Sequence, residues 1–430
     1  MKRSNRSSCL VRAVPLVLGL ALLATNAFAA DAATAKARSK STGISKPVAE
    51  KLLAAYELLQ SEKYDESLAL VDQLAERRRL KAPEIAQIHR FRGYIFVNKG
   101  MSEQAAAEFE KSLAQKALDP NAEQVMIYSL AQIYTQLGKY DAALALIDTW
   151  FQTEQNPKPD AYYLKAMILV QQERFGDAVE PAKSAIELSP EPRESWVALM
   201  VVIYSQLKDY PNVAATLERL IAISPGKQQY WVQLAAVQKH LEREAKALAT
   251  LQLAYEAELL RDDKELRQLA RLLFLRQQPY ECAQVIEMGI ASGVVKPDAE
   301  SYRLVSNCYI AARDNEKALE PLAKAGELAT DGDMYMLLGQ MYLQRERFAP
   351  AIEALEKALA KSKPDQRGSV QLLIGVAQLG SDRFDAAERA FRVASGDEKV
   401  RRAAESYLSF LKAQRLRHEQ QQAQAPSPRG

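Results

Sequence analysis

Few residues in this 430-residue chain have the types and spacing that chemistry at a protein site requires. The three histidines, His89, His240 and His418, lie far apart in the sequence. The sequence contains no His-Glu-x-x-His pair, Cys-x-x-Cys pair, glycine-rich phosphate loop or Gly-x-Ser-x-Gly elbow, which are the spacings of zinc, redox, nucleotide and nucleophilic sites. His89 falls at a core position of an amphipathic pattern, so we expect it to be packed. We therefore predict a protein that is not an enzyme, with no catalytic residue, metal or cofactor.

Two alternatives stay open for Cys282 and Cys308, the cysteines that lie beyond the N-terminal segment. They fall in helices that we expect to be antiparallel neighbours, so a disulfide is conceivable in an oxidising compartment. The pattern favours the second alternative, two free thiols, because it puts Cys282 on an exposed helix face.

Residues 1–30 predict a secretory signal peptide and hence a periplasmic protein. Four basic residues precede the apolar run AVPLVLGLALLA, and the small residues around Ala27-Phe28-Ala29 follow, which is the layout of a cleaved leader. The run is shorter than the ~20 residues of a membrane span, which favours cleavage over an uncleaved anchor. Because those four basic residues leave with the leader, the remaining chain is close to neutral. This charge gives no electrostatic footprint for nucleic acid.

A short phrase recurs along the chain and predicts its elements. LGKYDAALAL, at 137–146, returns as QERFGDAVEP, RERFAPAIEA and SDRFDAAERA, each with an aromatic residue three positions before an alanine. Each unit carries two amphipathic patterns of helical period, with a glycine or a polar residue between them. The interval between units fits a helical repeat array. Units begin near Val48, Ala86, Gln124, Pro159, Glu194, Gln228, Lys264, Ala299, Gly332 and Gly368.

Small residues hold two facing positions of each unit, which predicts close contact between its helices. A larger residue there would overpack the contact. The position in the second helix is held by Ala105, Ala143, Ala178, Ala247, Ala283, Ala318, Ala351 and Ala387, with Ser67 and Val213 as departures. The facing position in the first helix is held by Ala55, Gly93, Ala131, Ala166, Ala235, Ser306, Gly339 and Gly375.

These positions resemble the tetratricopeptide repeat family over roughly residues 48–396. The resemblance implies an all-α fold, a right-handed α-solenoid of about ten helix-turn-helix repeats. Another amphipathic helix follows and is expected to cap the last repeat. The predicted divisions are a signal peptide at 1–30, a flexible linker at 31–47, the solenoid at 48–396, a capping helix at 397–418 and a disordered tail at 419–430.

In this family a partner peptide lies in a concave groove lined by the first helices, so the resemblance implies a set of groove residues. Tyrosines offer contact area at a low entropy cost, and amides pair with a peptide backbone. Three of the tyrosines, in successive units, form the strongest part of the prediction. The candidates are Tyr56, Arg90, Tyr94, Tyr128, Gln132, Tyr163, Met167, Arg303, Asn307, Met336 and Gln340.

Residues 292–342 and 372–413 also resemble periplasmic tetratricopeptide repeat proteins assigned to the TonB transport system. That resemblance implies a periplasmic interaction scaffold, accessory to TonB-dependent energy transduction, whose partners are proteins of the TonB complex. Two alternatives stay open. The first is a scaffold for envelope polysaccharide or outer-membrane protein assembly and export, and the second is a regulatory subunit of an envelope enzyme.

Overall fold

The structure is a computed structural model, and it describes residues 43–424, with side chains described as far as Gln414. The predicted signal peptide, most of the predicted linker and the last six residues of the predicted tail lie outside the described residues. Within the described range every regular element is an α-helix, and there are 21 of them. They belong to two compact units, which meet in the sequence between Pro225 and Gly226.

The first unit consists of five helical hairpins, each made of a first and a second helix. Its helices are α1 (Lys46–Gln60), α2 (Tyr64–Ala75), α3 (Ala82–Asn98), α4 (Ser102–Ala114), α5 (Pro120–Gln136), α6 (Tyr140–Thr153), α7 (Pro159–Gln171), α8 (Phe175–Glu187), α9 (Glu194–Gln206) and α10 (Tyr210–Ile223).

The second unit consists of five more hairpins and a final helix. Its helices are α11 (Gln228–His240), α12 (Glu244–Glu256), α13 (Asp263–Leu275), α14 (Pro279–Ala291), α15 (Ala299–Ala311), α16 (Asn315–Leu328), α17 (Asp333–Leu343), α18 (Phe348–Lys361), α19 (Arg367–Gly380), α20 (Phe384–Ala394) and α21 (Arg401–Gln424). None of the helices in the described range is both long and apolar enough for a membrane crossing.

The two small positions of each hairpin are buried, as the sequence predicts. All ten residues at the second-helix position, Ser67 and Val213 included, and all eight at the facing position have little or no solvent exposure. At the first hairpin the contact is also polar, because the Ser67 hydroxyl donates a hydrogen bond to the carbonyl of Ala55 at 2.7 Å. The predicted all-α repeat architecture is confirmed.

The turn inside each hairpin contains one residue in the left-handed backbone region. Glycine, which adopts a positive φ at no steric cost, fills this place in two turns, at Gly100 and Gly138. The other eight turns use a residue with a side chain, at φ between 57° and 61°. These residues are Glu62, Lys208, Glu173, Glu242, Gln277, Arg313, Glu346 and Asp382. A polar residue therefore stands in for glycine in most turns, as the sequence predicts.

The final helix covers the end of the second unit and differs in extent from the prediction. Ala404 and Leu411 of α21 are buried, and the Tyr407 ring stacks on Phe391 of α20 at 4.8 Å between centroids. The helix continues to Gln424, so the disordered tail predicted at 419–430 is wrong for residues 419–424. Glutamine, glutamate and alanine make up residues 419–424, and they are good helix formers.

Cys282 and Cys308 form a disulfide that joins α14 to α15, with 6.1 Å between their Cα atoms. Both residues are fully buried. The expectation of two free thiols, with Cys282 on an exposed face, is therefore wrong. Because the helices α14 and α15 pack against each other, the first helix of the eighth hairpin covers the face of α14 that carries Cys282. The amphipathic pattern of a single hairpin does not contain this information.

Candidate functional site

The predicted groove residues differ in how much surface they present. In the first unit Arg90, Tyr94 and Met167 are buried, with 2–4% of their surface exposed, so they offer a partner little contact area. Tyr56, Tyr128, Gln132 and Tyr163 are half-buried. In the second unit Arg303 and Asn307 are exposed on α15, while Met336 and Gln340 are half-buried on α17. Binding by any of these residues stays a prediction.

The three tyrosines expected to form a ladder each contact a different aromatic ring. Tyr94 of α3 meets Phe109 edge-on at 5.2 Å between centroids, and Tyr128 of α5 meets Trp150 at 5.1 Å. Tyr163 of α7 lies 5.8 Å from Trp196. Since Trp196 belongs to α9, the last of these contacts joins the first helices of two successive hairpins.

Polar groups complete a surface on α5, α7 and α9, which we call the polar-aromatic surface. Arg193, just before α9, donates a hydrogen bond to Asp160 at 2.6 Å, and its guanidinium lies 5.0 Å from the centre of the Trp196 ring. Gln132 lies close enough to Tyr128, and Ser195 close enough to Tyr163, for each polar group to act on the pKa of the neighbouring phenol and partly offset its increase. The surface thus consists of Tyr128, Gln132, Asp160, Tyr163, Arg193, Ser195 and Trp196.

The environment of the two tyrosines keeps their hydroxyl groups neutral. Burial raises the pKa of Tyr128 well above its ordinary value of 10, and the negative charge of Asp160 adds to this increase. Burial likewise raises the pKa of Tyr163. A neutral phenol both donates and accepts hydrogen bonds, so these groups suit non-covalent recognition. Asp160 and Arg193 balance each other, which leaves the surface without net charge.

Sequence reasoning identified Tyr128, Gln132 and Tyr163 but missed the rest of the surface. Asp160 lies at the start of α7 and Arg193 precedes α9, so both fall outside the groove positions carried over from the family. The interval of 33 residues between them is close to one repeat, and this opposite-charge pair at repeat spacing is a signal that the sequence did contain.

His89 takes part in a packed charged cluster, in line with the sequence prediction. Its Nδ1 atom lies 2.7 Å from Glu108, a carboxylate that also accepts a hydrogen bond from Lys111 at 2.7 Å and lies near Arg92. Glu108 is 6% exposed. Within the described residues no group of three or more His, Cys, Asp or Glu side chains is arranged to hold a metal ion.

Two family models match parts of the chain. The tetratricopeptide repeat model matches residues 52–123, 309–367 and 336–397. The model of subunit 3 of the anaphase-promoting complex, or cyclosome, matches residues 98–185. A search of curated proteins gave no match.

Solved structures of helical repeat proteins are similar to this chain at low identity. A tetratricopeptide repeat protein from Parabacteroides merdae ATCC 43184 is 16% identical, over 57% of this chain and 94% of its own, with a TM-score of 0.36. YrrB, described as having an unusual peptide-binding site, is 16% identical over 42% and 89% of the two chains, with a TM-score of 0.35. The TPR2AB domain of yeast Sti1, in a pHSP90 complex, is 14% identical over 60% and 99%, with a TM-score of 0.35. These likenesses concern the fold alone.

Proposed function

The chain carries tetratricopeptide repeats in both of its units, and from this premise we propose that it is a non-enzymatic scaffold that binds a protein partner in the periplasm as an accessory component of the TonB system. Proteins with this repeat generally mediate protein–protein interaction. The observation that carries the proposal is the polar-aromatic surface of the first unit. It gathers aromatic rings, an arginine and neutral hydroxyl groups, the residue types that dominate binding energy at protein interfaces.

The construction of this surface supports binding by preorganisation. Its side chains hold one another before any partner arrives, because Arg193 is paired with Asp160 and lies over Trp196. Ordered side chains lose little entropy on binding, which raises affinity. At the same time Ser195 is exposed and Tyr163 is half-buried, so a partner can reach the surface.

The disulfide supports a location outside the cytoplasm. Disulfides persist in oxidising compartments such as the bacterial periplasm and are rare in the cytosol. The Cys282–Cys308 bond lies in the interior of the second unit, where it acts as a structural bond. It agrees with the signal peptide predicted at residues 1–30. The TonB assignment itself rests on the resemblance of residues 292–342 and 372–413.

Site-specific photo-crosslinking in cells tests both the surface and the partner. A benzophenone amino acid replaces Ser195, beside Tyr163, and in a matched control it replaces Glu218, an exposed residue of the second helix α10. We expect proteins of the TonB complex to be crosslinked at position 195 and not at 218. The captured proteins are identified by mass spectrometry after expression at native level.

The variant Arg193→Ala then links the captured protein to the surface. It removes the hydrogen bond to Asp160 and the cation beside Trp196, but the arginine side chain is 63% exposed, so we expect the fold to persist. Loss of the crosslink at unchanged melting temperature supports the proposal. Equal capture at both positions contradicts the binding surface. Capture of export or assembly proteins alone, or of an envelope enzyme, contradicts the TonB assignment and leaves the scaffold function in place.

A further inference from the structure

The loop that joins the first hairpin to the second carries a cluster of positive charge. It spans residues 76–81, between α2 and α3, and contains the only run of three consecutive lysines or arginines in the sequence. Arg77, Arg78, Arg79 and Lys81 are all exposed to solvent, and we call these four residues the basic loop. Since the chain beyond residue 30 is close to neutral, the cluster is a local concentration of charge and does not reflect the overall composition.

The charge of the basic loop is not neutralised by ion pairs. Within the described part of the chain, the side chains of its three arginines take part in no ion pair or hydrogen bond. The flanking helices show the contrast, because the guanidinium of Arg92 on α3 lies 2.8 Å from a carboxylate oxygen of Asp72 on α2. Glu76 is the only acidic residue among residues 76–81, so four positive charges accompany one negative charge there.

Packing beneath the basic loop fixes both of its ends. Leu74, before the loop, and Leu80, within it, pack in the core of the first hairpin. The main-chain N–H of Lys81 donates a hydrogen bond to the buried carboxylate of Glu84 at 2.9 Å, and the N–H of Ser45 donates to the same carboxylate at 3.0 Å. Glu84 is thus engaged inside the unit, and the three arginines remain unpaired on its outside.

The N-terminal end of the described chain lies beside the basic loop. Glu84 binds Ser45 as well as the loop, and a Cβ atom at Gly43 would lie 3.3 Å from Pro83 at the start of α3. Residues 31–42, which precede Gly43 in the sequence, contain three basic residues and one acidic residue. This segment therefore joins the described chain next to the loop, and its net charge has the same sign.

The surroundings of the basic loop suit a membrane surface better than a protein partner. Protein interfaces have an apolar or aromatic centre. Among the described residues, none of the large hydrophobic side chains that are exposed in the first unit lies in the loop, in α2 or in α3, since they are Leu53, Leu188, Leu207 and Ile223. An exposed cluster of lysine and arginine without such a centre is typical of segments that bind anionic lipids.

We propose that the basic loop holds the first unit against a membrane surface that contains anionic phospholipids. The inference goes beyond the proposed scaffold function, because it concerns a second ligand and does not depend on the protein partner. Guanidinium groups form strong, charge-assisted hydrogen bonds with phosphate oxygens. Each lysine or arginine near an anionic membrane surface strengthens binding about fivefold, so the loop alone supports reversible attachment.

Sedimentation of the protein with lipid vesicles tests the inference. The protein is expressed from the full sequence and purified in the form that cells produce, with its N-terminus identified by mass spectrometry. The vesicles consist of phosphatidylcholine alone or of phosphatidylcholine with one third phosphatidylglycerol.

Four proteins of equal melting temperature are compared on both kinds of vesicle. Lys81 is left unchanged because it lies against the carboxylate of Glu84. The proteins are the natural chain, the loop variant Arg77→Gln, Arg78→Gln, Arg79→Gln, the charge-retaining variant Arg77→Lys, Arg78→Lys, Arg79→Lys, and a control with Lys399→Gln, Arg401→Gln and Arg402→Gln, exposed cations of the second unit.

The natural chain and the control should bind the anionic vesicles and not the phosphatidylcholine vesicles. Loss of the three arginines should weaken this binding roughly 100-fold, at about fivefold for each charge. The charge-retaining variant should keep most of the binding, because a membrane surface responds to charge, whereas a carboxylate held at one fixed site prefers the planar guanidinium fork. Salt at about 1 M, where the Debye length is ~3 Å, should release the natural chain.

Several outcomes would overturn the inference. They are equal binding of the natural chain to both kinds of vesicle, loss of binding in the charge-retaining variant, and a loop variant that binds like the natural chain. Fluorescein-labelled polyglutamate tests the competing occupant by anisotropy. If the natural chain binds polyglutamate through the loop and does not bind the anionic vesicles, the loop takes an acidic protein segment instead. Crosslinking at position 195 judges the scaffold function separately in every case.

Discussion

Thr250 donates a hydrogen bond to the side-chain oxygen of Gln238 at 2.8 Å, inside the sixth hairpin. The tenth hairpin repeats half of this pair. Gln378 stands at the position of Gln238 and is also buried, but Ala390 stands at the position of Thr250. The Gln378 side-chain oxygen is buried without a hydrogen-bond partner in the described structure. The buried glutamine oxygen at this repeat position therefore accepts a hydrogen bond in the sixth hairpin and has no such partner in the tenth.

Ala390→Thr is expected to stabilise the tenth hairpin, because the new hydroxyl reaches the Gln378 oxygen as Thr250 reaches Gln238. A satisfied buried hydrogen bond contributes about 1 kcal/mol, and the β-branched side chain takes back a few tenths of this gain. Ala390→Val is the matched control, since it has the shape of threonine without the hydroxyl. Thermal unfolding should place threonine above valine at position 390. If valine equals threonine there, no hydrogen bond forms to Gln378.

Thr250→Val is expected to have the opposite effect in the sixth hairpin. It leaves the Gln238 oxygen buried and unpaired, which costs about 1–3 kcal/mol. Hydrogen exchange of the α11 and α12 amides should report the loss locally, while exchange in the first unit serves as an internal reference. Unchanged exchange in α11 and α12 contradicts the role given to this pair.

Gly93→Ala is expected to destabilise the second hairpin. A Cβ atom at Gly93 would lie 2.3 Å from the Cε1 atom of the buried Phe109 ring, and overpacking of this kind costs about 1–3 kcal/mol. Gly176→Ala is the control, because a Cβ there meets no atom within 4 Å. Alanine is also the better helix former by roughly 1 kcal/mol. Chemical denaturation should shift the two variants in opposite directions. Equal shifts would show that the small position tolerates a side chain.

Reduction of the Cys282–Cys308 bond is expected to destabilise the second unit by about 3 kcal/mol, because the bond closes a loop with a sequence separation of 26. Melting with and without dithiothreitol measures the effect. Cys282→Ala combined with Cys308→Ala should remove the response to reductant. Thiol counting in denaturant should give two more thiols after reduction, and an equal count in both states would mean that the bond is absent from the isolated protein.

Acid is expected to lower the folding stability of the first unit, partly through protonation of Glu108. Burial acts to raise the pKa of Glu108, but hydrogen bonds with His89 and Lys111 and the charge of Arg92 outweigh it, so the pKa lies below the ordinary 4.5. A carboxylate with a lowered folded-state pKa stabilises the fold above its unfolded-state pKa, and this contribution is lost as the pH falls through the folded-state value.

The free energy of unfolding should therefore fall less steeply below pH 4.5 in Glu108→Gln than in the natural chain. Glu103→Gln changes an exposed carboxylate of the same helix and serves as the control. The comparison needs denaturant titrations at several pH values between neutral and strongly acidic solution. A slope for Glu108→Gln that equals that of the natural chain contradicts the assignment.

The repeat fold was predictable because its main determinant is local. Two facing positions such as Gly93 and Ala105 need only be small, and that property is visible in the sequence at each repeat. Burial of Cys282 depends on a helix of the next hairpin, and the Asp160–Arg193 pair depends on two residues outside the repeat pattern. The burial of Tyr94 against Phe109 was likewise missed, because one register position can face solvent in one hairpin and packed rings in another.

The turn residues inside the hairpins are positions at which the stability of each hairpin can be changed separately. Eight of the ten hold a side-chain-bearing residue in the left-handed region, as Glu173 and Asp382 do, where such residues cost roughly 1 kcal/mol more than glycine. These residues lie between helices, so a glycine there leaves both packing faces unchanged. Because repeats contribute nearly additively to stability, substitutions to glycine could stabilise the array one hairpin at a time. Natural variants at the same positions could lower its stability in equally small steps.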